Sequence, residues 1–279
     1  MISHLLRITS ATGLILLCTF MPFLPGRYDS FALPLSMLAQ GIGKLGLLLV
    51  PVGALWMAFE YRSRTGSKRY AFAVAALIVS SLIWIFVSFF LTIESVALGL
   101  VVLGVGVYVV IRLLPRLRSL KGATSGTRSA IPVYLIAVPI AVFLIQLVLA
   151  DPATEFSRSR AIRNSAPMIA DIEAYRIANG RYPPSLMSLH PDYKPAVIGI
   201  KEYRYEPSGE SYNLMFEQHS FRIGIREIVM YNPSDKQGIA SHALDVFQLT
   251  PAQLEVDRGR GYNEVHDARQ PHWKYFWFD

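Results

Sequence analysis

The chain has 279 residues, of which 52% are hydrophobic and 17% charged. A soluble domain carries about 25% charged residues, so the composition excludes an ordinary soluble enzyme and a disordered chain and points to bilayer-embedded segments. The net charge of +7 is unevenly placed: residues 1–150 hold 12 Lys and Arg against 3 Asp and Glu, whereas residues 151–279 hold 15 against 17. A basic surplus confined to the apolar half is the pattern of topology determinants, and no nucleic-acid partner is expected.

A spanning helix needs about 20 mainly apolar residues. Five segments meet or approach that length: residues 8–24, 35–59, 71–91, 95–111 and 131–150. The first is read as an uncleaved span. Arg7 ahead of its apolar core and a weak small-x-small site at Ser30-Phe31-Ala32 leave a cleaved signal peptide as the alternative. Cys18 lies inside that run and reads as a small core hydrophobe. Arg62, Arg64, Lys68 and Arg69 fall between the second and third segments, and Arg112, Arg116, Arg118, Lys121 and Arg128 between the fourth and fifth. Positive loops stay in the cytoplasm, so the chain is expected to enter N-terminus inside and to place residues 151–279 on the far side. The expected location is a bacterial inner membrane.

Lys44 lies within the second segment, near Gln40. An intramembrane lysine is a functional candidate, and here it also lies near enough to the outer surface to snorkel. Gln146 sits near the outer end of the fifth segment. Gly41, Gly43, Gly46, Gly53, Gly99, Gly104 and Gly106 are expected to allow close helix packing. Gly41-Ile42-Gly43-Lys44 lacks the spacing and the following Ser or Thr of a phosphate loop.

Composition changes at Asp151-Pro152. Residues 153–179 read as a helix, with Pro167 either kinking it or starting a second helix after Asn164 or Ser165. Gly180 marks its end and Tyr182-Pro183-Pro184 stops any continuation. Residues 185–189 suggest one helical turn. Strand patterns follow over residues 200–206, over 211–217 with Tyr212, Leu214 and Phe216 on one face, and from Phe221 to Tyr231. Residues 233–270 are polar and Gly-rich, with a short helix near residues 251–255. His272 to Phe278 is aromatic enough for a last strand. The expected fold is an α-helical membrane bundle (1–150) followed by a small α+β domain (151–279), a long helix on an antiparallel sheet.

The stretch Ile172-Glu173-Ala174-Tyr175-Arg176-Ile177-Ala178-Asn179-Gly180-Arg181-Tyr182-Pro183-Pro184-Ser185-Leu186 resembles the end of the long helix in major, G-type pseudopilins of type II secretion. Tyr203-Arg204-Tyr205 and Tyr212-Asn213-Leu214 are similar to that family's first hairpin, and the resemblance covers about residues 150–232. It implies a pilin-like domain in which Tyr175, Asn179, Gly180, Tyr182 and Pro183 form a structural corner. Four extra spans and the lack of a Gly-Phe-Thr-Leu-x-Glu start depart from the family, so polymerisation does not carry over. Neither does its calcium loop, for which only the scattered Asp257 and Asp267 are available.

His266, Asp267 and His272, with His242 and Asp245, are the weak metal candidates, and their spacing fits no zinc pattern. Ser241, His242 and Asp245 match a triad by residue type alone. The aromatic run Trp273 to Phe278 reads as a core strand with a second face available to a partner or lipid. No cofactor and no catalytic residue is expected. The chain is therefore expected to be a non-enzymatic inner-membrane protein that presents its C-terminal domain to other envelope proteins, with membrane lipid as its other partner. The alternative is a small transporter or lipid-handling protein, with Lys44 in its pathway and the C-terminal domain as lid or sensor.

Overall fold

The structure, a computed structural model, describes residues 2–62, 66–121, 129–189, 192–208, 210–221, 225–237 and 264–278. Among the described residues six α-helices come first: α1 (Ile2–Phe20), α2 (Ala32–Leu45), α3 (Leu49–Arg62), α4 (Gly66–Glu94), α5 (Val96–Lys121) and α6 (Ile131–Asn179). Five strands follow: β1 (Arg204–Ser208), β2 (Ser211–His219), β3 (Arg226–Tyr231), β4 (Glu264–Asp267) and β5 (Trp273–Phe278). The chain divides into two units, Met1–Phe20 with Pro34–Leu149 and Met21–Leu33 with Ala150–Asp279.

Among the described residues five stretches are long and apolar enough to cross a membrane: Ile2–Phe23, Ala32–Arg62, Lys68–Thr92, Val96–Arg118 and Ile131–Asn179. The second is interrupted, because a 3-10 turn at Gly46–Leu48 separates α2 from α3. Pro51 explains the break. It has no N–H for the Leu47 carbonyl and its ring crowds that carbonyl, so the chain tightens before the helix resumes. The helix of the fourth span, α5, runs ten residues past the expected end at Ile111, to Lys121.

In the first unit, Ile83, Val87 and Leu91 of α4 and Val102 of α5 form a buried cluster flanked by Met37, Leu38, Leu45 and Leu49. The Trp84 indole donates to the Val102 carbonyl at 2.6 Å. A Cβ on Gly106 would lie 2.0 Å from that indole. A Cβ on Gly43, Gly53 or Gly99 would also meet a neighbour, at 2.5, 2.9 and 2.2 Å, whereas one on Gly104 would meet nothing within 4 Å. Leu82, Phe89, Val101 and Leu147 each expose more than half their surface, as a face turned to lipid does. At one end of the unit, buried Glu60 accepts from Arg69 (2.8 Å), from the Trp56 indole (3.3 Å) and from the Ser129 N–H (3.5 Å).

The second unit is built on an antiparallel sheet of order β1-β2-β3-β5-β4. Its register aligns Leu214, Tyr231 and Trp273 in one row, Phe216, Val229, Tyr275 and His266 in the next, and Gln218, Glu227 and Trp277 in a third. Strand alternation puts all three rows on one face. Against that face lie Ala161, Ile162, Met168 and Ile172 of α6. The helix passes Pro152 and Pro167 unbroken. Each proline removes one backbone bond, a cost the packed face offsets. β1 starts at Arg204 rather than at Ile200, and it tolerates Pro207 because it is an edge strand. The third strand starts at Arg226, not Phe221. β4 lies in a stretch read as polar loop, and the helix expected near residues 251–255 falls outside the described residues.

Residues 21–33 belong to the second unit, although the sequence reading left them in the membrane half. Their backbone pairs with residues 196–199. Gly26 N–H donates to Ala196 O (3.1 Å), Ile198 N–H to Leu24 O (3.0 Å), Asp29 N–H to Ile198 O (3.0 Å) and Gly199 N–H to Pro22 O (2.7 Å). Phe23 is buried and stacks on Phe221 at 5.0 Å.

Candidate functional site

The second unit contains two polar constellations on α6. The first is the corner at the helix end. Gly180 has φ of 68°, a left-handed conformation in which a Cβ is strained, and its N–H donates to the Arg176 carbonyl at 2.8 Å. Asn179 Nδ2 donates to the Tyr175 carbonyl at 2.9 Å. Tyr182 turns inward and meets the Tyr212 ring edge-on at 4.9 Å, while its hydroxyl accepts from Arg176 Nη1 at 2.8 Å. Tyr205 donates to the Pro183 carbonyl at 2.9 Å. The five residues singled out in the sequence thus cap α6 and pin the exit chain to β1. Burial pushes the Tyr205 hydroxyl up to about 12, with Tyr182 and Glu173 adding to it, and burial raises Tyr203 and Tyr212 further. These hydroxyls stay protonated donors near neutral pH.

The second constellation lies two turns after the start of the unit. Arg158 on α6 reaches Glu227 on β3 through two bonds, Nε to Oε1 at 2.8 Å and Nη2 to Oε2 at 2.9 Å. Gln218 Nε2 donates to Oε1 at 2.6 Å and Trp277 Nε1 to Oε2 at 2.9 Å. Each carboxylate oxygen therefore accepts two bonds. Arg158 Nη1 donates to Glu155 at 2.5 Å, and the guanidinium lies 3.6 Å from the Tyr275 ring centroid, within cation–π range. Ser157 donates to Gln218 Oε1 at 2.6 Å. Arg158 is 4% exposed and Glu227 1%. A buried pair this fully hydrogen-bonded locks helix to sheet.

The described histidines do not converge. His266 stacks on Tyr275 and lies 4.1 Å from the Trp277 ring. Asp267, the next residue along β4, contacts Lys274 at 3.4 Å. His272 pairs with Asp235 at 3.0 Å. Among the described residues no three His, Cys, Asp or Glu side chains gather as metal ligands. His190, Ser241, His242 and Asp245 lie outside the described residues.

In the first unit a buried polar cluster joins three helices. Gln146 Nε2 donates to Thr19 Oγ1 (3.0 Å), Ser36 to the Thr19 carbonyl (2.5 Å), and Gln40 Nε2 to Ser36 Oγ (3.2 Å). The Gln146 amide packs against Gly43, where a Cβ would lie 2.5 Å from Oε1. Lys44 is half-buried, one turn beyond Gln40 on α2.

No family model, curated protein or solved structure matches this chain. The site therefore rests on its own geometry. The sequence reading missed Arg158, Glu227 and Gln218. Their signal was present as polar residues on apolar stripes. Arg158 falls one turn before Ala161 and Ile162, and Glu227 is in phase with Val229 and Tyr231.

Proposed function

We propose that this chain is a non-enzymatic, multi-pass protein of a bacterial cytoplasmic membrane. Its helical bundle anchors a pilin-like α+β domain outside the cytoplasm for contacts with other envelope proteins. The observation that carries the reading is α6: one helix qualifies as a span and then supplies the buried face of the α+β core. A long helix, an Asn-Gly corner and an antiparallel sheet are what the pseudopilin resemblance implies. The engaged polar groups around Glu227 support a structural role for the domain interior.

Backbone pairing of residues 22–29 with 196–199 supports the topology independently of charge. Segments paired in this way share one side of the bilayer, so an even number of crossings must separate residue 33 from residue 150. Four candidate spans lie between them. The basic loops, of a kind that stays in the cytoplasm, support an outer position for that shared side.

Two experiments on the full chain test the reading. A phosphatase fused after Asp279 should be active, and a photo-crosslinker at Ile177 or Met187, exposed by 85% and 92%, should trap envelope proteins in intact cells. A fusion that works only in the cytosol, or crosslinkers that trap nothing, would overturn it. The buried cluster of Thr19, Ser36, Gln40 and Gln146 beside Lys44 favours the second reading, transport or lipid handling. Loss of a transport or lipid phenotype in Lys44→Leu, with insertion unchanged, would select it.

A further inference from the structure

Residues 24–31 are all that separates two span-length stretches, Ile2–Phe23 and Ala32–Arg62. Consecutive Cα atoms lie about 3.8 Å apart, so Leu24 and Phe31 each stand one step from the end of a candidate span. These helices cross the bilayer if the chain is the multi-pass protein proposed above, and the inference rests on that proposal. Connectivity then keeps the short loop at the level of the lipid headgroups. Its backbone is held in shape as well, because Leu24 O and Asp29 N–H bond to Ile198, and Gly26 N–H bonds to Ala196.

The apolar side chains of this region divide. Phe23 turns into the second unit, whereas Leu24 is 38% exposed, Tyr28 47% and Phe31 71%. Asp29 sets the position of Phe31. Its Oδ1 accepts from the Phe31 N–H at 2.9 Å, and its carbonyl accepts from the Ala32 N–H at 3.2 Å. The turn that leads into α2 is thereby closed with the Phe31 ring outside it. The one acidic side chain of residues 24–31 is thus bonded to its own backbone, and the one basic side chain, Arg27, is exposed. Two rings, a leucine and a cation at the end of a span are the composition of an interfacial anchor. Rings settle at the boundary between acyl chains and headgroups, and a guanidinium on its long stem reaches the phosphates.

We infer that Leu24, Tyr28 and Phe31 insert into the phospholipid interface of the leaflet on the second unit's side, with Arg27 at phosphate level. Lipid is the occupant because the chain itself carries these side chains to the bilayer rim, whereas a protein partner would have to displace lipid already there. The anchor holds more than a loop. Ala196 has φ of 52°, and its carbonyl accepts both from Gly26 N–H and from Arg160 Nε of α6, each at 3.1 Å. Asn164 Nδ2 of α6 donates to the Pro195 carbonyl at 2.6 Å. Residues 195–199 therefore tie the loop to α6, and the inserted rings keep this edge of the second unit at the membrane surface.

The test uses the full chain with Cys18→Ser, reconstituted in vesicles of phosphatidylcholine and phosphatidylglycerol, with one nitroxide at a time on Ser30→Cys, Leu82→Cys or Met187→Cys. All three native side chains are exposed. Collisions with oxygen, which concentrates in lipid, are compared with collisions with a water-soluble nickel chelate. The label at residue 30 should meet the chelate several-fold less often than the label at residue 187 while still meeting oxygen. Adding Tyr28→Ser and Phe31→Ser should bring it to the residue 187 value. A residue 30 label as open to the chelate as residue 187, with Tyr28 and Phe31 intact, overturns the proposal. So does one shielded from both reagents, the mark of a protein cover. The label at residue 82, on the exposed face of α4, separates the failures. In lipid there and in water at residue 30, the anchor alone falls; in water at both, the membrane reading falls with it. Should the serine variant fail to fold, the loop with both rings intact decides alone.

Discussion

Glu227→Gln is the sharpest perturbation of the C-terminal unit. The change keeps side-chain shape but removes the charge and replaces one acceptor oxygen with an NH2 group. Two of the four donors now aimed at Glu227, among Arg158 Nε, Arg158 Nη2, Gln218 Nε2 and Trp277 Nε1, would face another donor. Arg158 would remain buried with the partly exposed Glu155 carboxylate as its remaining anionic contact. Breaking a buried pair from one side costs about 3–5 kcal/mol, a large share of the roughly 5–15 kcal/mol that holds a domain. At about 3–5 °C per kcal/mol for a unit of this size, the melting transition should fall by ~10–20 °C. Thermal unfolding of the full chain in micelles, followed by proteolysis of the C-terminal unit, reads this out. Replacing both partners, Arg158→Met with Glu227→Leu, should recover most of the loss, because the desolvation cost disappears with the charges. A Glu227→Gln protein that melts with wild type would refute the view that this network locks helix to sheet.

Gly180→Ala should destabilise the same unit by about 1–2 kcal/mol, since its φ of 68° is strained for any residue with a Cβ; an unchanged urea midpoint would contradict the cap. Gly199→Ala places a Cβ 2.7 Å from the Pro22 carbonyl oxygen, so the pairing with residues 22–29 should open. A disulfide between Pro25→Cys and Val197→Cys should form readily with Gly199 and poorly with alanine. Burial raises Tyr205 from its ordinary value near 10 to about 12, so the fold favours the protonated phenol. That contribution is whole below about pH 10 and is lost as pH climbs through 12, and a urea midpoint flat to pH 12 would contradict it.

The spans were legible because a run of some 20 apolar residues has few other uses. The break at Gly46–Leu48 was not, because Pro51 sits inside an apolar run that hides it. Tyr212, Leu214 and Phe216 announced β2 by alternation, and the aromatic run announced β5. β4 is only Glu264-Val265-His266-Asp267, too short and polar to be recognised without its partner. The Arg158–Glu227 pair joins residues 69 positions apart, a contact that no local pattern encodes. Pairing between residues 22–29 and 196–199 runs through backbone groups, which every residue carries and which therefore leave no trace in sequence.

That pairing bears on the fate of α1. A signal peptidase cutting at Ser30-Phe31-Ala32 would detach Pro22, Phe23, Pro25, Gly26 and Asp29 together with the helix. Phe23 is 2% exposed and stacks on Phe221, and removing a buried phenyl ring costs about 3–5 kcal/mol. The four backbone bonds to residues 196–199 would be lost as well, leaving the Ile198 and Gly199 N–H groups and the Ala196 and Ile198 carbonyls without these partners. Ala32 itself is fully buried, so the site is closed once the unit has folded. The C-terminal unit thus needs the residues that cleavage would remove, and α1 should stay attached as the first span. Intact mass of the protein purified from membranes checks this, and a species beginning at residue 33 that still folds would sink the argument.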